Sequence, residues 1–167
     1  MNTEIRRRMQ GFDLFSTLTD AECASVATVL SEVRVKKGDV LFKEGDRGDS
    51  AYVIISGKIA IGVASREISV LEKGSIFGEA SLVSELTRSA TATATADAAL
   101  WKISRKEFLR LMGEGNLGTY KICARIAGAL AGRLLIMNKK LQEAFAANTP
   151  GREMDRIKNA LLKDWSF

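Results

Sequence analysis

Gly74-Ser75-Ile76-Phe77-Gly78-Glu79-Ala80-Ser81-Leu82-Val83-Ser84-Glu85-Leu86-Thr87-Arg88-Ser89-Ala90-Thr91 interrupts a strand-like sequence with two glycines, a short helix-compatible run and an arginine nine positions after a glutamate. A helical turn opening near Gly78 points unpaired N–H groups of Ala80 and Ser81 outward, and helix starts with free donors bind phosphate. Arg88 supplies the balancing charge through two parallel hydrogen bonds. Glu79 would be repelled by a phosphate and suits neutral hydroxyl donors such as those of a ribose. The stretch reads as a clamp for a sugar phosphate.

On either side the hydrophobic period is two. Val33 and Val35, Val40 to Phe42, Ala51 to Ile55, Ile59 to Val63 and Ile68 to Leu71 precede the clamp. Ala90 to Ala96 and Ala98 to Ile103 follow it, the first of these with Ala on one face and Thr on the other. Lys37-Gly38-Asp39, Glu44 to Asp49, Ser56-Gly57-Lys58 and Lys73-Gly74 punctuate the series with the residues that tight turns demand. Many short strands with regular turns predict an all-β sandwich or barrel. Helices flank it. Thr19-Asp20-Ala21-Glu22 forms a capping box ahead of a helix over 20–31, and Ser104-Arg105-Lys106-Glu107 forms a second ahead of a short helix to about Met112. A long helix is expected from Leu117 to Ala147, and a short amphipathic tail helix carries Met154, Ile157, Leu161 and Trp165.

Composition narrows the chemistry. The chain has 167 residues, 46% of them hydrophobic, and no histidine. The commonest general base, the usual metal ligand and the middle member of a catalytic triad are therefore all missing. No nucleophile–base pair stands out, so neither catalytic residues nor a metal site is expected. Cys23 and Cys123 stand a hundred positions apart without zinc spacing and read as small buried apolar residues. The arginines near the start are followed by Gly11, Phe12 and Asp13 rather than an apolar signal core, which suggests a cytoplasmic protein. No uncharged apolar run reaches the length of a membrane helix. The net charge of +5 is uneven: residues 34–100 carry nine basic and nine acidic side chains, residues 101–167 thirteen and six. That basic end suits nucleic acid, an acidic partner or a lipid surface, or simply a solvated helix face.

The clamp is similar to the phosphate-binding cassette of cyclic nucleotide-binding domains, the family of catabolite-activator-type regulators, kinase regulatory subunits and nucleotide-gated channels. The likeness extends over about residues 10–145. Phe15 to Asp20 resembles the family's opening helix, Lys37 to Asp46 its first strand pair, and Gly48-Asp49 to Ile54 with Gly57 its jelly-roll core. The resemblance implies a mainly β double-stranded β-helix, or jelly roll, with an N-terminal helix and a long C-terminal lid or dimer helix. It implies a bound cyclic nucleotide, cAMP or cGMP, and no cofactor. Glu79 would accept the ribose 2′-hydroxyl, Gly78, Ala80 and Ser81 would bring backbone groups to the ligand, Arg88 would pair with the cyclic phosphate, and Ser89 with the following Ala90 would complete the contact. Thr87 stands where the family commonly has proline, which leaves the loop less rigid. Ser89 occurs in cAMP receptors and can also meet a guanine edge.

Alternatives remain at this stage. Glu79 and Arg88 could form a structural salt bridge in an empty cassette, making the chain a ligand-independent adaptor for a protein effector. In the long helix, Ala127, Leu130, Leu134, Met137, Leu141 and Ala144 are spaced 3, 4, 3, 4, 3, a coiled-coil seam suited to a homodimer through 117–147. Ile122, Ile126 and Phe145 form a second stripe, and the alternative is a monomer whose helix packs on its own barrel. Gly128 and Gly132 mark a close approach of another backbone or a soft point. Residues 1–147 are read as the binding domain and 148–167 as a tail too short for a winged DNA-binding domain, so no direct DNA contact is expected.

Overall fold

The computed structural model describes residues 3–148, so the expected tail helix lies outside the described residues, as does the side chain of Phe145. In chain order the elements are α1 (Thr3–Gln10), a 3-10 turn (Asp13–Phe15), α2 (Asp20–Ala27), β1 (Leu30–Val35), β2 (Val40–Phe42), β3 (Ser50–Ser56), β4 (Ile59–Val63), β5 (Arg66–Leu71) and β6 (Ile76–Phe77). They continue with α3 (Ala80–Val83), β7 (Thr91–Ala94), β8 (Ala98–Ser104), α4 (Arg105–Gly113) and α5 (Leu117–Asn148). The strands make two four-stranded sheets, ordered β1-β8-β3-β6 and β2-β7-β4-β5, with every neighbour antiparallel. This is the jelly roll that the resemblance implied, within the all-β class that strand count and turn spacing predicted.

The chain divides into two compact units, residues 1–126 and 127–167. In the first, the inner faces of both sheets enclose Tyr52, Ile54, Ile59, Phe77, Ala92, Ala94, Ala98 and Leu100. Burying each large aliphatic side chain contributes about 1.5–3 kcal/mol. The Ala-Thr ladder behaves as its alternation dictates: Ala92 and Ala94 are buried while the threonines between them are half-exposed. On the outer face of the first sheet, Phe12 and Phe15 meet Trp101 edge to face, at 5.1 and 6.0 Å between centroids.

Several boundaries differ from expectation. The helix expected over 20–31 ends at Ala27, because Leu30 is already paired with Ile103 in the first sheet and pairing outweighs the apolar continuity of Val29-Leu30. Its capping box is real: Glu22 N–H donates to Thr19 Oγ1 at 3.3 Å and Thr19 N–H to Glu22 Oε2 at 2.7 Å. The second box does not form. Ser104 is still the last residue of β8, paired with Ser50, its side chain makes no capping bond, and the Arg105 N–H donates instead to Asp49 O at 2.8 Å. Helix α1, the 3-10 turn and the two-residue β6 were not anticipated. Cys23 is buried as expected, but Cys123 is only half-buried, and that burial pushes its thiol pKa up.

The beginning of α5 is anchored to the first unit. Ile122 and Ile126 are buried, Lys121 Nζ lies 2.8 Å from Glu22 Oε2, and Arg125 pairs with Asp13. In the second unit the helix continues without interruption, and Leu134, Leu135, Ile136, Met137 and Leu141 are exposed along it. A Cβ added at Gly128 or Gly132 would meet no other atom within 4 Å. Among the described residues no helix is long and apolar enough to cross a membrane.

Candidate functional site

The site grows from β6. Gly74 N–H donates to Ile54 O and Ile54 N–H to Ser75 O, at 2.9 and 3.0 Å, which seats Ile76-Phe77 beside β3. Gly78 then turns the chain with φ +67°, a conformation that a Cβ makes costly, and a Cβ there would also stand 2.5 Å from Arg88 Nη1. Glu79 follows, buried, as the residue that opens α3. Within α3, Ser81 and Leu82 are buried while Ala80 is exposed.

Arg88 returns on the other arm, and its main chain is fixed before its side chain is. Gly45 N–H donates to Arg88 O at 2.9 Å, Arg88 N–H donates to Asp46 O at 2.8 Å, and Arg47 bridges to Thr87. The same loop holds two further partners: Glu44 N–H donates to Thr91 Oγ1, and the Ala64 N–H at the tip of the β4–β5 hairpin donates to Glu44 Oε2, both at 3.0 Å.

The guanidinium points inward and is only 5% exposed. Nη1 donates to Ser50 O (2.8 Å), Ser81 Oγ (3.0 Å) and Gly78 O (3.3 Å), whereas Nη2 reaches Ser50 Oγ (3.3 Å) and lies 3.8 Å from Asp49 Oδ1. Beneath it is an aromatic platform. The Arg88 carbon Cζ stands 4.0 Å from the Phe42 ring centroid, Tyr52 stacks on Phe77 at 5.3 Å, and Phe42 touches both rings. Burial pulls the Arg88 pKa down, with Tyr52, Asp49 and Asp46 opposing, and an arginine remains charged under such a shift. Nε is buried and has no hydrogen-bond partner. The guanidinium is thus anchored chiefly through Nη1, which leaves Nε without an acceptor and Nη2 with one 3.3 Å bond, the two donors that can take two oxygens in parallel.

Of the residues singled out from sequence, Gly78, Ser81 and Arg88 are brought into contact, and Glu79 is buried one residue from Gly78. Ala80 and Ser89 are exposed and Ala90 is half-buried. The expectation of a free Ser81 amide is corrected: it donates to Gly78 O at 3.2 Å, closing the turn, while its hydroxyl is taken by Arg88. Ala80, first in the turn, has no carbonyl four residues back to satisfy its N–H within the helix. The anchors of Arg88 are Ser50, Gly78, Ser81 and Asp49, so a Glu79–Arg88 salt bridge is not what holds it. Sequence reasoning missed Phe42, Tyr52, Phe77, Asp49 and Ser50. It also missed Gly48, where a Cβ would collide with Ser81 Oγ. The inward alternation of β3 and β6 marks the two buried rings, but nothing local marks a carbonyl as an anchor.

Residues 32–114 match the model of the cyclic nucleotide-binding domain. A cGMP-dependent protein kinase from Toxoplasma gondii is 36% identical over 110 residues, covering 66% of this chain and 11% of the kinase. A cAMP-dependent protein kinase regulatory subunit from Hypocrea atroviridis is 32% identical over 117 residues, 67% of this chain and 25% of the subunit. The chain therefore spans at most a quarter of the length of these relatives. Among solved structures, the catabolite activator protein of Thermus thermophilus superposes with a TM-score of 0.65 at 28% identity, over 78% of this chain and 63% of that one.

Proposed function

Residues 32–114 belong to the cyclic nucleotide-binding domain family, and on that premise we propose that the chain is a noncatalytic cytoplasmic sensor of a cyclic nucleotide, cAMP with cGMP as the competing ligand. The observation that carries this reading is the unsatisfied donor of Arg88: a buried Nε without an acceptor, on a guanidinium whose Nη1 is already committed to the barrel. A buried donor without a partner costs about 1–3 kcal/mol, and an anion accepting from Nε and Nη2 removes that cost. Phe42, Ile61 and Leu71 pack against the core yet are only partly buried, which suits an interior with room for a ligand.

In this reading Arg88 holds the cyclic phosphate and Glu79 accepts the ribose 2′-hydroxyl. Gly78, Ala80, Ser81, Ser89 and Ala90 shape the cassette, with Ala80 the amide free to donate. The sensor comprises residues 1–147, with 148–167 a tail. Occupancy biases the position of the C-terminal helices, and only to the extent that nucleotide binds one arrangement more tightly than another. The relatives named for cAMP- and cGMP-dependent kinases support the ligand class equally for both bases. Isothermal titration is expected to show binding of cAMP or cGMP, lost in Arg88→Ala and weakened in Glu79→Gln if Arg88→Ala fails to fold. Absence of both heat and thermal shift with either compound refutes the proposal.

The exposed Leu134, Met137 and Leu141 at seam spacing support a homodimer through α5. Light scattering should then report a dimer that Met137→Asp dissociates, and a monomeric native chain would refute it. A second reading has its own support, since the protein anchors of Arg88 also suit a purely structural arginine. An adaptor of that kind would engage its effector identically with and without nucleotide.

A further inference from the structure

Away from Arg88, a cleft of about 550 Å³ crosses one end of the first sheet on its outer face. Its floor is apolar and small. Ala99 of β8 pairs with Arg34 of β1 on this face, and Ile55, the residue left over where the register of β3 slips between Ile54 and Ser56, lines the cleft with it. Its rim is charged. Lys36 Nζ lies 2.9 Å from Asp97 Oδ2, and Asp97 Oδ1 accepts from Lys37 N–H at 3.0 Å, so both oxygens of that carboxylate are in use. Glu32 meets Arg34 only at 3.4 Å, with the Arg34 side chain 85% exposed. Arg8, reaching over from α1, stands 5.5 Å from the Trp101 ring, and among the described residues no carboxylate pairs with it. Among the described residues one cation therefore has no carboxylate partner and a second is only loosely held.

The geometry points to a docking surface for an acidic peptide segment of a partner protein, with an aliphatic side chain against Ile55 and Ala99 and carboxylates against Arg8 and Arg34. A small-molecule site would converge a few fixed polar groups on its ligand. Here the cations stand on long exposed stems around an apolar centre, which is the anatomy of a protein interface with a charged rim. None of these residues belongs to the cassette, so the inference is independent of the nucleotide reading.

The test is fluorescence anisotropy of a labelled peptide, Glu-Glu-Leu-Glu-Glu, titrated with the full chain. Binding is expected to weaken with added salt and to fall about tenfold in the double variant Arg8→Gln/Arg34→Gln. It should be unchanged in Arg110→Gln, an arginine of α4 outside the cleft. Replacing the central leucine by serine should weaken it as well. Nucleotide titrations should give the same result in the double variant and the native chain, which separates this inference from the cassette. Equal affinity for Lys-Lys-Leu-Lys-Lys, undiminished binding in the double variant, or no binding up to about 1 mM would overturn the proposal. So would full displacement by phosphate or citrate at peptide-like concentration, since the cleft would then be a site for small anions.

Discussion

Replacing Gly48 by alanine tests whether Arg88 is held from a distance. Gly48 does not lie in the left-handed region, and its φ gives no reason to require glycine. The requirement is spatial: a Cβ at this position collides with Ser81 Oγ, approaches Ser81 Cβ to 2.8 Å and stands 3.2 Å from Leu86 O. Overpacking of this kind costs about 1–3 kcal/mol. Relief by moving Ser81 breaks its 3.0 Å bond from Arg88 Nη1, a charge-assisted bond contributing about 1.5–3 kcal/mol. Gly48→Ala is therefore expected to destabilise the domain by about 2–4 kcal/mol, read from urea unfolding followed by circular dichroism. Ser81→Gly removes both atoms that the new methyl strikes, so adding it to Gly48→Ala should restore most of the space. The double variant should be no less stable than Ser81→Gly by more than about 1 kcal/mol, a coupling well beyond the scatter of independent sites. Additivity within about 0.5 kcal/mol, or a Gly48→Ala chain as stable as the native one, would refute the claim that residue 48 acts through Ser81 on Arg88.

Phe42→Leu removes the ring under the guanidinium and should weaken nucleotide binding measured by calorimetry, by an amount reflecting a lost cation–π contact of about 1–2 kcal/mol; unchanged affinity would mean that the platform does not position Arg88. The Lys121 ammonium, followed by the Thr19 N–H, holds the Glu22 carboxyl below the ordinary glutamate range. A depressed acid contributes stability that is present above that range and lost as pH falls through the folded-state value. Urea midpoints of native chain and Glu22→Gln should therefore differ at neutral pH and converge in acid, and a difference that persists below the carboxylate range would contradict this assignment.

The strands were legible because short apolar runs alternate with turn residues that fix where one ends, although only β7 and much of β8 alternate in burial while β3 is buried along most of its length and β5 is exposed along most of its own. Helix ends were less so. Val29 and Leu30 continue the apolar pattern of α2, and only the distant partner Ile103 makes Leu30 a strand residue. Ser104 satisfies the capping pattern, yet the orphan amide of Arg105 is claimed by Asp49 O, in the loop just before β3. In the candidate site the charged pair and its glycines were readable, since their types and spacing carry the chemistry. What surrounds them was not. Phe42, Tyr52 and Phe77 come from three strands, and the shortest contact of Arg88 is to a main-chain carbonyl, which every residue possesses. Ser81 shows the limit from the other side, because the residue was picked correctly and its amide was already occupied.

The loop at residues 44–47 has a mechanical consequence. It grips the main chain of Arg88 by its neighbours on both sides, while the Glu44 carboxylate tethers Ala64, one of two non-glycine residues, with Ser65, wound into left-handed backbone at the hairpin tip. Cassette arm and hairpin are thus yoked through one short strap, so that tugging the arginine's backbone aside must drag the hairpin with it or break a bond at Glu44, Gly45 or Asp46. The tip's left-handed turn at Ala64 and Ser65, costly for residues with a Cβ, is held by the β4–β5 ladder and by Glu44 together.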